Sequence, residues 1–105
     1  MLKINLEFRK GILFVRLIGN LTRYTYKSLE DYLIPVIKKN GIRYLVYNLE
    51  DVSLIDNQGK KSLKKGIAAA KKNKGKGALC NAKENLHNEF NIFDDELAAL
   101  AELQF

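Results

Sequence analysis

The 105-residue chain has no tryptophan and one residue each of cysteine, proline, histidine and methionine. A single cysteine cannot form an internal disulfide, which is typical of proteins in a reducing compartment. No apolar run approaches the roughly 20 residues that a membrane-spanning helix needs. The first 20 residues alternate apolar and charged side chains, unlike a secretory signal. We therefore expect a cytoplasmic protein that does not insert into a membrane.

The sequence also has few residues that could carry catalysis. It has no HxxE, CxxC, GxxxxGK[ST] or GxGxxG pattern at a useful position, so we expect no metal and no cofactor. Cys80 ends an apolar run and is predicted to be a small buried residue, whereas His87 is predicted at the surface. Asp51 and Asp56 could cluster with Glu50, but no nucleophile accompanies them. We assign them loop and capping roles and predict that the protein is not an enzyme.

The positive charge is concentrated in one segment. The net charge is +6, yet residues 57–80 contain eight lysines and no acidic residue, and residues 81–105 contain one lysine and six acidic residues. One interpretation is a solvated helix face followed by a lysine-rich loop. Another is a surface that meets an acidic protein partner. A nucleic-acid-binding protein is a further alternative, but the aromatic pattern of single-strand binders is absent.

The amino-terminal half predicts a hairpin and a helix. Alternation over Lys3–Arg9, the turn Lys10-Gly11 and the β-branched run Ile12–Ile18 indicate two paired strands. A helix to about Lys39 follows, capped by Thr22 or Thr25. Pro35 predicts a kink or an early break near Ile34, and Asn40-Gly41 is a stop signal.

A second unit begins at Arg43. Arg43–Leu49 is predicted as the central strand, followed by a loop over Asp51–Asp56 and a helix with Asn57 as its N-cap. One face of this helix carries small and apolar residues that would let it lie close to the sheet: Gly59, Leu63, Gly66, Ile67 and Ala70.

The carboxyl-terminal part predicts shorter elements. They are a strand at Ala78–Cys80, a short helix from Lys83 to about His87, a strand at Ile92–Phe93 and a helix from Asp94. The packing face predicted for the last helix consists of Leu97, Leu100, Ala101 and Leu103. The whole chain is predicted to be a single α/β domain over residues 1–105. Its sheet would be mixed and mostly parallel, with four to five strands, an antiparallel first strand and helices packed on it.

The stretch that joins the central strand to the second helix is the candidate site. In open α/β sheets, ligands and partners bind beyond the carboxyl ends of the strands. A helix N-terminus offers free backbone N–H groups and a partial positive charge. Asp56, Asn57 and the lysines of the first two turns of the helix lie at this point.

Residues 47–59, YNLEDVSLIDNQG, resemble the signature of the STAS domain family, and most closely the bacterial anti-sigma factor antagonists of the sporulation stage II AA type. In that family an "LNLEDLSFMDSSG"-like run leads to the partner-binding helix. Residues 16–22, RLIGNLT, resemble the family's "RLTGELD" turn. The resemblance implies an STAS fold and a non-enzymatic regulator that binds an anti-sigma factor, itself a serine kinase, and so releases a sigma factor.

The resemblance also implies a switch that this sequence alters. In the family the kinase phosphorylates the serine directly after the motif's aspartate, which adds a charge that disrupts a packed interface. Asp56 and Gly59 match the motif, but Asn57 occupies the phosphoacceptor position and cannot be phosphorylated as a serine would be. Gln58 replaces the second serine, and Thr22 replaces the aspartate of the earlier turn.

Three consequences of Asn57 stay open at this point: binding without phospho-control, control moved to Ser53, Ser62 or Thr22, or a different partner. An alternative function is a stand-alone STAS subunit of a transporter or a stress-sensing assembly. The predicted partner-binding residues are Thr22, Ser53, Asp56, Asn57, Gln58, Gly59, Lys60, Lys61 and Lys64.

Overall fold

The structure is a computed structural model that describes residues 1–83 and 86–103. Its elements in chain order are β1 (Lys3–Arg9), β2 (Ile12–Leu21), α1 (Tyr26–Asn40), β3 (Tyr44–Ile55), α2 (Asn57–Lys72), β4 (Lys76–Cys80), β5 (Ile92–Phe93) and α3 (Glu96–Leu103). No helix within the described residues combines the length and the apolar character needed to cross a membrane.

The first two strands form the predicted hairpin. Arg9 pairs with Ile12, so only Lys10 and Gly11 join the strands. Their φ angles are 53° and 83°. Positive φ at both central residues gives a turn whose twist matches that of the strands, and glycine adopts this geometry without strain.

The sheet has five strands in the order β1-β2-β3-β4-β5. β1 is antiparallel to β2, and the other neighbouring pairs are parallel. β3 is central, so the predicted mixed, mostly parallel α/β sheet is confirmed. Leu13 and Val15 face one hydrophobic cluster, whereas Ile12 and Phe14 face another. Burial on both faces explains why these four residues form an unbroken apolar run.

Helices cover both faces of the sheet. The larger cluster packs α1, through residues such as Leu29 and Leu33, and α2, through Leu63, against the sheet. The smaller cluster packs Ala99 of α3 against the opposite face, beside Val46. The two long helices therefore lie together on one side, and their orientation follows from their parallel crossover connections.

The strands beside the site are longer than predicted. β2 continues to Leu21 and β3 to Ile55, so most of the predicted Asp51–Asp56 loop is strand. Their pairing continues to the ends through two irregularities, which place Asn20 opposite Leu54 and Leu21 opposite Ile55. Each irregularity changes which residues face the core, so buried and exposed residues no longer alternate strictly. The period-two pattern of a strand is therefore not visible in this part of the sequence.

The first helix differs from expectation in two ways. It runs unbroken through Pro35, so the predicted early break is wrong. Pro35 is exposed, while Leu33 and Ile37 on the opposite face are fully packed in the core and hold the helix in place. The predicted stop is confirmed: Gly41 is left-handed, with φ of 60°, and its N–H donates to the Ile37 carbonyl.

The carboxyl-terminal prediction was partly wrong. The last helix begins at Glu96 rather than Asp94, and the Asp95 carboxylate accepts from the Ala98 N–H. Leu97 is 72% exposed and Ala101 is also exposed, whereas Ala99 is buried, because α3 packs through a face rotated from the predicted one. The short helix predicted from Lys83 to about His87 spans residues 84 and 85, which lie outside the described residues.

Candidate partner-binding site at the carboxyl end of the sheet

Asp56 joins two segments at the carboxyl end of the sheet. It is the N-cap of α2, and its Oδ1 accepts from the Gly59 N–H at 2.8 Å. Its Oδ2 accepts from the Arg23 N–H at 2.8 Å. The prediction that Asn57 is the N-cap is therefore wrong by one residue: the Asp56 backbone is extended, as a cap requires, and Asn57 is the first helical residue.

These backbone donors also set the protonation of Asp56. The N–H groups of Arg23 and then of Gly59 are the main causes that lower the pKa of the Asp56 carboxyl below its ordinary value. A hydrogen bond to the charged form favours that form. The carboxylate therefore stays ionised at neutral pH and keeps both segments attached to it.

The β2–α1 turn is held by its own hydrogen bonds. The Thr22 carbonyl accepts from the Tyr26 N–H at 2.8 Å. The Thr25 hydroxyl accepts from the Thr22 N–H at 2.9 Å and donates to the Asn20 carbonyl at 2.7 Å. The predicted side-chain cap at Thr25 is absent because its oxygen is engaged by these groups. The Thr22 hydroxyl instead accepts from the Tyr24 N–H within the turn.

Gly59 lets α2 approach the end of β2. A Cβ at this position would overlap the Leu21 carbonyl oxygen and lie 2.9 Å from the Leu21 carbonyl carbon. The backbone of Leu21 cannot move aside as a flexible side chain could. Gly59 is buried, so it positions the site rather than offering a side chain to a partner.

The other predicted site residues differ in exposure. Asn57 and Ser53 are exposed, and Gln58 is half-buried. Thr22 is 8% exposed and Ser62 is 1% exposed. The predicted set is thus divided between an outer surface and an inner support.

The lysines of α2 do not all face solvent as free charges. Lys64 lies 2.8 Å from Glu89, and Lys60 lies 3.9 Å from the same carboxylate. Lys64 is also 5.6 Å from the centroid of the Phe90 ring. Lys61 is exposed, and no ion pair links it to another of the described side chains.

Sequence reasoning missed two exposed apolar side chains at this site. Tyr24 is 80% exposed, and the Arg23 guanidinium lies 4.9 Å from its ring centroid. Leu54 is 53% exposed, between buried Val52 and half-buried Ile55. A large apolar residue inside a polar turn, as at Tyr24, is the signal that could have identified the first of them.

The site is an outer surface rather than a cavity. The two largest clefts described have volumes of about 690 and 610 Å³. One lies between α2 and residues 87–91, the other between α1 and α2, and neither is lined by Asp56 or Asn57. The hollow that Ser53, Leu54 and Ile55 help to line has a volume of only about 50 Å³. An exposed surface of this kind, with exposed apolar residues, suits a macromolecular partner better than a small ligand.

The potentially reactive side chains of the described residues are dispersed rather than grouped as metal ligands. Among those residues, no three His, Cys, Asp or Glu side chains are grouped so as to hold a metal ion. Cys80 is buried as predicted, and burial raises the pKa of its thiol to about 12, so the thiol stays protonated. His87 is exposed, as predicted.

The five-stranded sheet with its antiparallel edge, together with the capped helix after β3, defines an STAS-type fold. The family model for the STAS domain matches residues 3–95, and the chain belongs to this family. A curated relative, the anti-sigma F factor antagonist of Paenibacillus polymyxa, is 24% identical over 112 residues, covering 98% of this chain and 96% of that protein.

Solved structures show the same fold. An anti-sigma factor antagonist from Mycobacterium paratuberculosis aligns with a TM-score of 0.82 and 19% identity, covering 98% of this chain and 94% of the other. The anti-sigma factor antagonist SpoIIAA in its unphosphorylated form aligns with a TM-score of 0.78 and 17% identity, covering 95% and 96%. The chain is therefore a member of the STAS domain family, with the fold seen in these anti-sigma factor antagonists.

Proposed function

We propose that this protein is a non-enzymatic regulator that binds an anti-sigma factor with serine kinase activity and thereby releases a sigma factor. The family match and the curated relative support the class of partner. The observation that carries the proposal is the position of Asn57. Its side chain is exposed at the start of α2, directly after a carboxylate held by two backbone N–H groups.

The surroundings of Asn57 suit a protein interface. We define the partner-binding surface as the exposed parts of residues 22–24 and 53–61. Tyr24 and Leu54 provide exposed apolar area beside the charged and polar groups. Aromatic side chains ringed by polar groups carry much of the binding energy in protein interfaces. The hydrogen bonds from the Arg23 and Gly59 N–H groups to the Asp56 carboxylate hold the surface in one arrangement, which lowers the entropy cost of binding.

We further propose that the partner cannot switch this protein off through residue 57. Asparagine has no hydroxyl to accept a phosphoryl group. Of the hydroxyls considered above, those of Thr22 and Ser62 belong to residues almost wholly buried, at 8% and 1% exposure. Ser53 is exposed, so it is the one of the three that a kinase could reach without unfolding the site.

The charge of the surface favours an acidic partner at one position. Glu89 already neutralises Lys64 and lies near Lys60. The Lys64 ammonium donates a hydrogen bond to Glu89 Oε1 at 2.8 Å. This hydrogen bond lowers the pKa of the Glu89 carboxyl, so the pair stays ionised. Lys61 keeps its charge available, and we expect it to contact an acidic group of the partner.

The proposal is tested with the anti-sigma factor kinases of the host, taken first from genes adjacent to the one for this protein. Binding is measured by titration calorimetry and phosphorylation by mass spectrometry, for the natural chain, Asn57→Ser and the neighbouring control Gln58→Ser. We expect the natural chain to bind and to carry no phosphate on residue 57. Asn57→Ser should gain phosphate and then bind about 10–100-fold more weakly, because the phosphate adds charge at the interface. Gln58→Ser places a hydroxyl beside residue 57, so it should gain no phosphate, and its binding should be the same with and without ATP.

Two results would contradict this function. The first is no binding to the kinase while the natural chain is folded. The second is capture of membrane transporter components alone by the natural chain from its host, which would favour the stand-alone transporter subunit. Phosphate on Ser53 with loss of binding would place control at Ser53, and Ser53→Ala would then bind constitutively.

A further inference from the structure

The end of the molecule opposite Asp56 gathers positive charge from separate turns. Strand register places Arg9 beside Ile12, Ile12 beside Tyr44, and Tyr44 beside Lys76 in one row across the sheet. Both α1 and α2 end near this row. We call the cations here the basic pole; all are exposed, and they are Arg9, Lys10, Lys38, Lys39, Arg43, Lys71, Lys72, Lys74 and Lys76.

Little negative charge opposes the basic pole. Arg9 lies 3.6 Å from Glu7, and that is the only ion pair of the nine cations with any described residue. In the sequence, Glu7 is also the only acidic residue within four positions of any of them. Glu102, in the last turn of α3, is exposed and makes no ion pair with them.

Helix dipoles account for only part of this charge. Lys38 and Lys39 lie in the last turn of α1, and Lys71 and Lys72 in the last turn of α2, where cations stabilise a helix. Each helix end carries only about half of a negative charge. The cations outside the helices, which include Lys10 and Lys76, have no such role.

The turns of the basic pole are tied together. The Asn73 side-chain amide donates to the carbonyls of Ile37 and Ile42 at 3.2 and 2.8 Å. The Lys76 N–H donates to the Arg43 carbonyl at 2.8 Å. The backbones that carry the cations are therefore preorganised, and binding an anionic surface would not require the turns to fold.

In the described part of the chain, one exposed large apolar side chain accompanies the cations. Phe8 precedes Arg9 near the end of β1 and is 61% exposed. Aromatic rings beside basic residues favour the interface between lipid headgroups and acyl chains. At the other end of the 12-residue β3 lies the partner-binding surface, roughly 35 Å away at about 3.3 Å per strand residue.

We propose that the basic pole binds an anionic lipid surface peripherally, with the partner-binding surface facing away from it. The nine cations are spread over the β1–β2 turn, the ends of α1 and α2 and the segments at the starts of β3 and β4, as contact with a planar array of headgroups requires. Four of them, Lys38, Lys71, Lys72 and Lys76, also border the two clefts beside α2. Most of the nine are lysines, which interact as point charges rather than as the bidentate forks that read nucleic acid. Among the described residues the pole has exposed Phe8 and half-buried Tyr44, beside Arg43, and these two rings do not provide the row of stacking platforms that single strands need.

Vesicle co-sedimentation of the full chain tests the proposal. The probes are vesicles of phosphatidylcholine alone and with about 30% phosphatidylglycerol, at low salt. The variant carries Lys39→Gln, Lys72→Gln and Lys76→Gln. A control of equal charge change carries Lys3→Gln, Lys27→Gln and Lys83→Gln, at exposed lysines outside the basic pole.

We expect binding to the anionic vesicles alone. Each cation removed should weaken vesicle binding roughly fivefold, so the variant with three substitutions in the basic pole should bind anionic vesicles about 100-fold more weakly than the natural chain. The control variant should lose much less affinity for these vesicles. Added salt should weaken binding by the natural chain, since exposed charges are screened. Far-UV circular dichroism and thermal melting show that both variants are folded.

Tryptophan reporters test the orientation, because the natural chain contains no tryptophan. Phe8→Trp should show a blue-shifted emission with anionic vesicles. Tyr24→Trp, at the other end, should show none. A shift at residue 24 and not at residue 8 would reject the orientation.

Three results would overturn the proposal. They are no binding to anionic vesicles at low salt, an equal loss of binding in the pole variant and the control, and tighter binding of a random DNA duplex than of the vesicles. The last result would assign the basic pole to nucleic acid. None of these measurements involves the anti-sigma factor, so failure here leaves the proposed partner untouched.

Discussion

Replacing Gly66 with alanine tests how closely α2 lies on the sheet. A Cβ at residue 66 would overlap the hydroxyl oxygen of Tyr47 and lie 3.1 Å from the ring carbon that carries this hydroxyl. It would also lie 3.4 Å from the Leu45 Cδ2. Tyr47 is fully buried in the core, so its ring has no open space to move into.

The expected magnitude is a balance of two effects. Overpacking a core typically costs about 1–3 kcal/mol. Alanine in a helix interior gains about 1 kcal/mol over glycine. Because the added Cβ would meet a fully buried ring, we take the upper part of that cost, about 2–3 kcal/mol, and expect Gly66→Ala to lower the free energy of unfolding by about 1–2 kcal/mol. For a domain of this size that corresponds to a melting temperature lower by roughly 5–15 °C.

Thermal and denaturant unfolding of four variants separates these effects. Ala68→Gly, at an exposed position of the same helix, measures the propensity term by itself. Tyr47→Phe removes the obstructing oxygen, so Gly66→Ala combined with Tyr47→Phe should recover most of the lost stability. The coupling between the two sites should be about 1 kcal/mol or more. The proposed close contact would be refuted if Gly66→Ala were as stable as the natural chain. It would also be refuted if adding Tyr47→Phe restored none of the stability lost in Gly66→Ala.

Three further predictions concern ionised groups. Because the folded-state pKa of Asp56 lies below its ordinary 3.8, its contribution to stability is present above that pH and is lost as the pH falls through the lower value. The melting temperature of Asp56→Asn should therefore fall less steeply with decreasing pH in acid than that of the natural chain. An unchanged slope would exclude a stabilising role for the hydrogen bonds of Asp56. Glu96 accepts from Arg16 at 2.7 and 2.8 Å and holds α3 over buried Cys80. Glu96→Gln should weaken the attachment of α3 by roughly 1 kcal/mol and thus speed labelling of the Cys80 thiol in the folded protein about fivefold. The exposed control Glu102→Gln should leave the labelling rate unchanged. Equal labelling rates in the two variants would contradict the role of the Glu96 contact. Lys61→Gln should weaken binding of the anti-sigma factor more than Lys64→Gln, since Glu89 already pairs with Lys64; equal losses in calorimetry would argue against an acidic contact at Lys61.

Local patterns predicted the elements that depend on neighbouring residues. The turn at Lys10-Gly11 and the stop at Gly41 were correct because positive φ is a local property of short stretches. The face of α2 that carries Leu63 and Ile67 was correct because a 3.6-residue period is visible in the sequence. The fold class followed from the order of these elements and from the resemblance of residues 47–59.

Other features required knowledge of what lies across the fold. The cap moved from Asn57 to Asp56 because the carboxylate also binds the N–H of Arg23, which is 33 positions away in the chain. The lengths of β2 and β3 depended on their pairing, and the exposure of Leu54 depended on irregularities in that pairing. Propensity within a short window carries none of this information.

The lysines show the same division most clearly. The sequence by itself determined how many there are and that residues 57–80 contain no acidic residue. Only the tertiary structure decided that Glu89 neutralises Lys64, that Lys61 remains available, and that the later lysines join Lys10 and those at the end of α1 in one basic pole. The physical reason is that charges act through space, so their effect depends on which turns the parallel strands bring to the same end of the sheet.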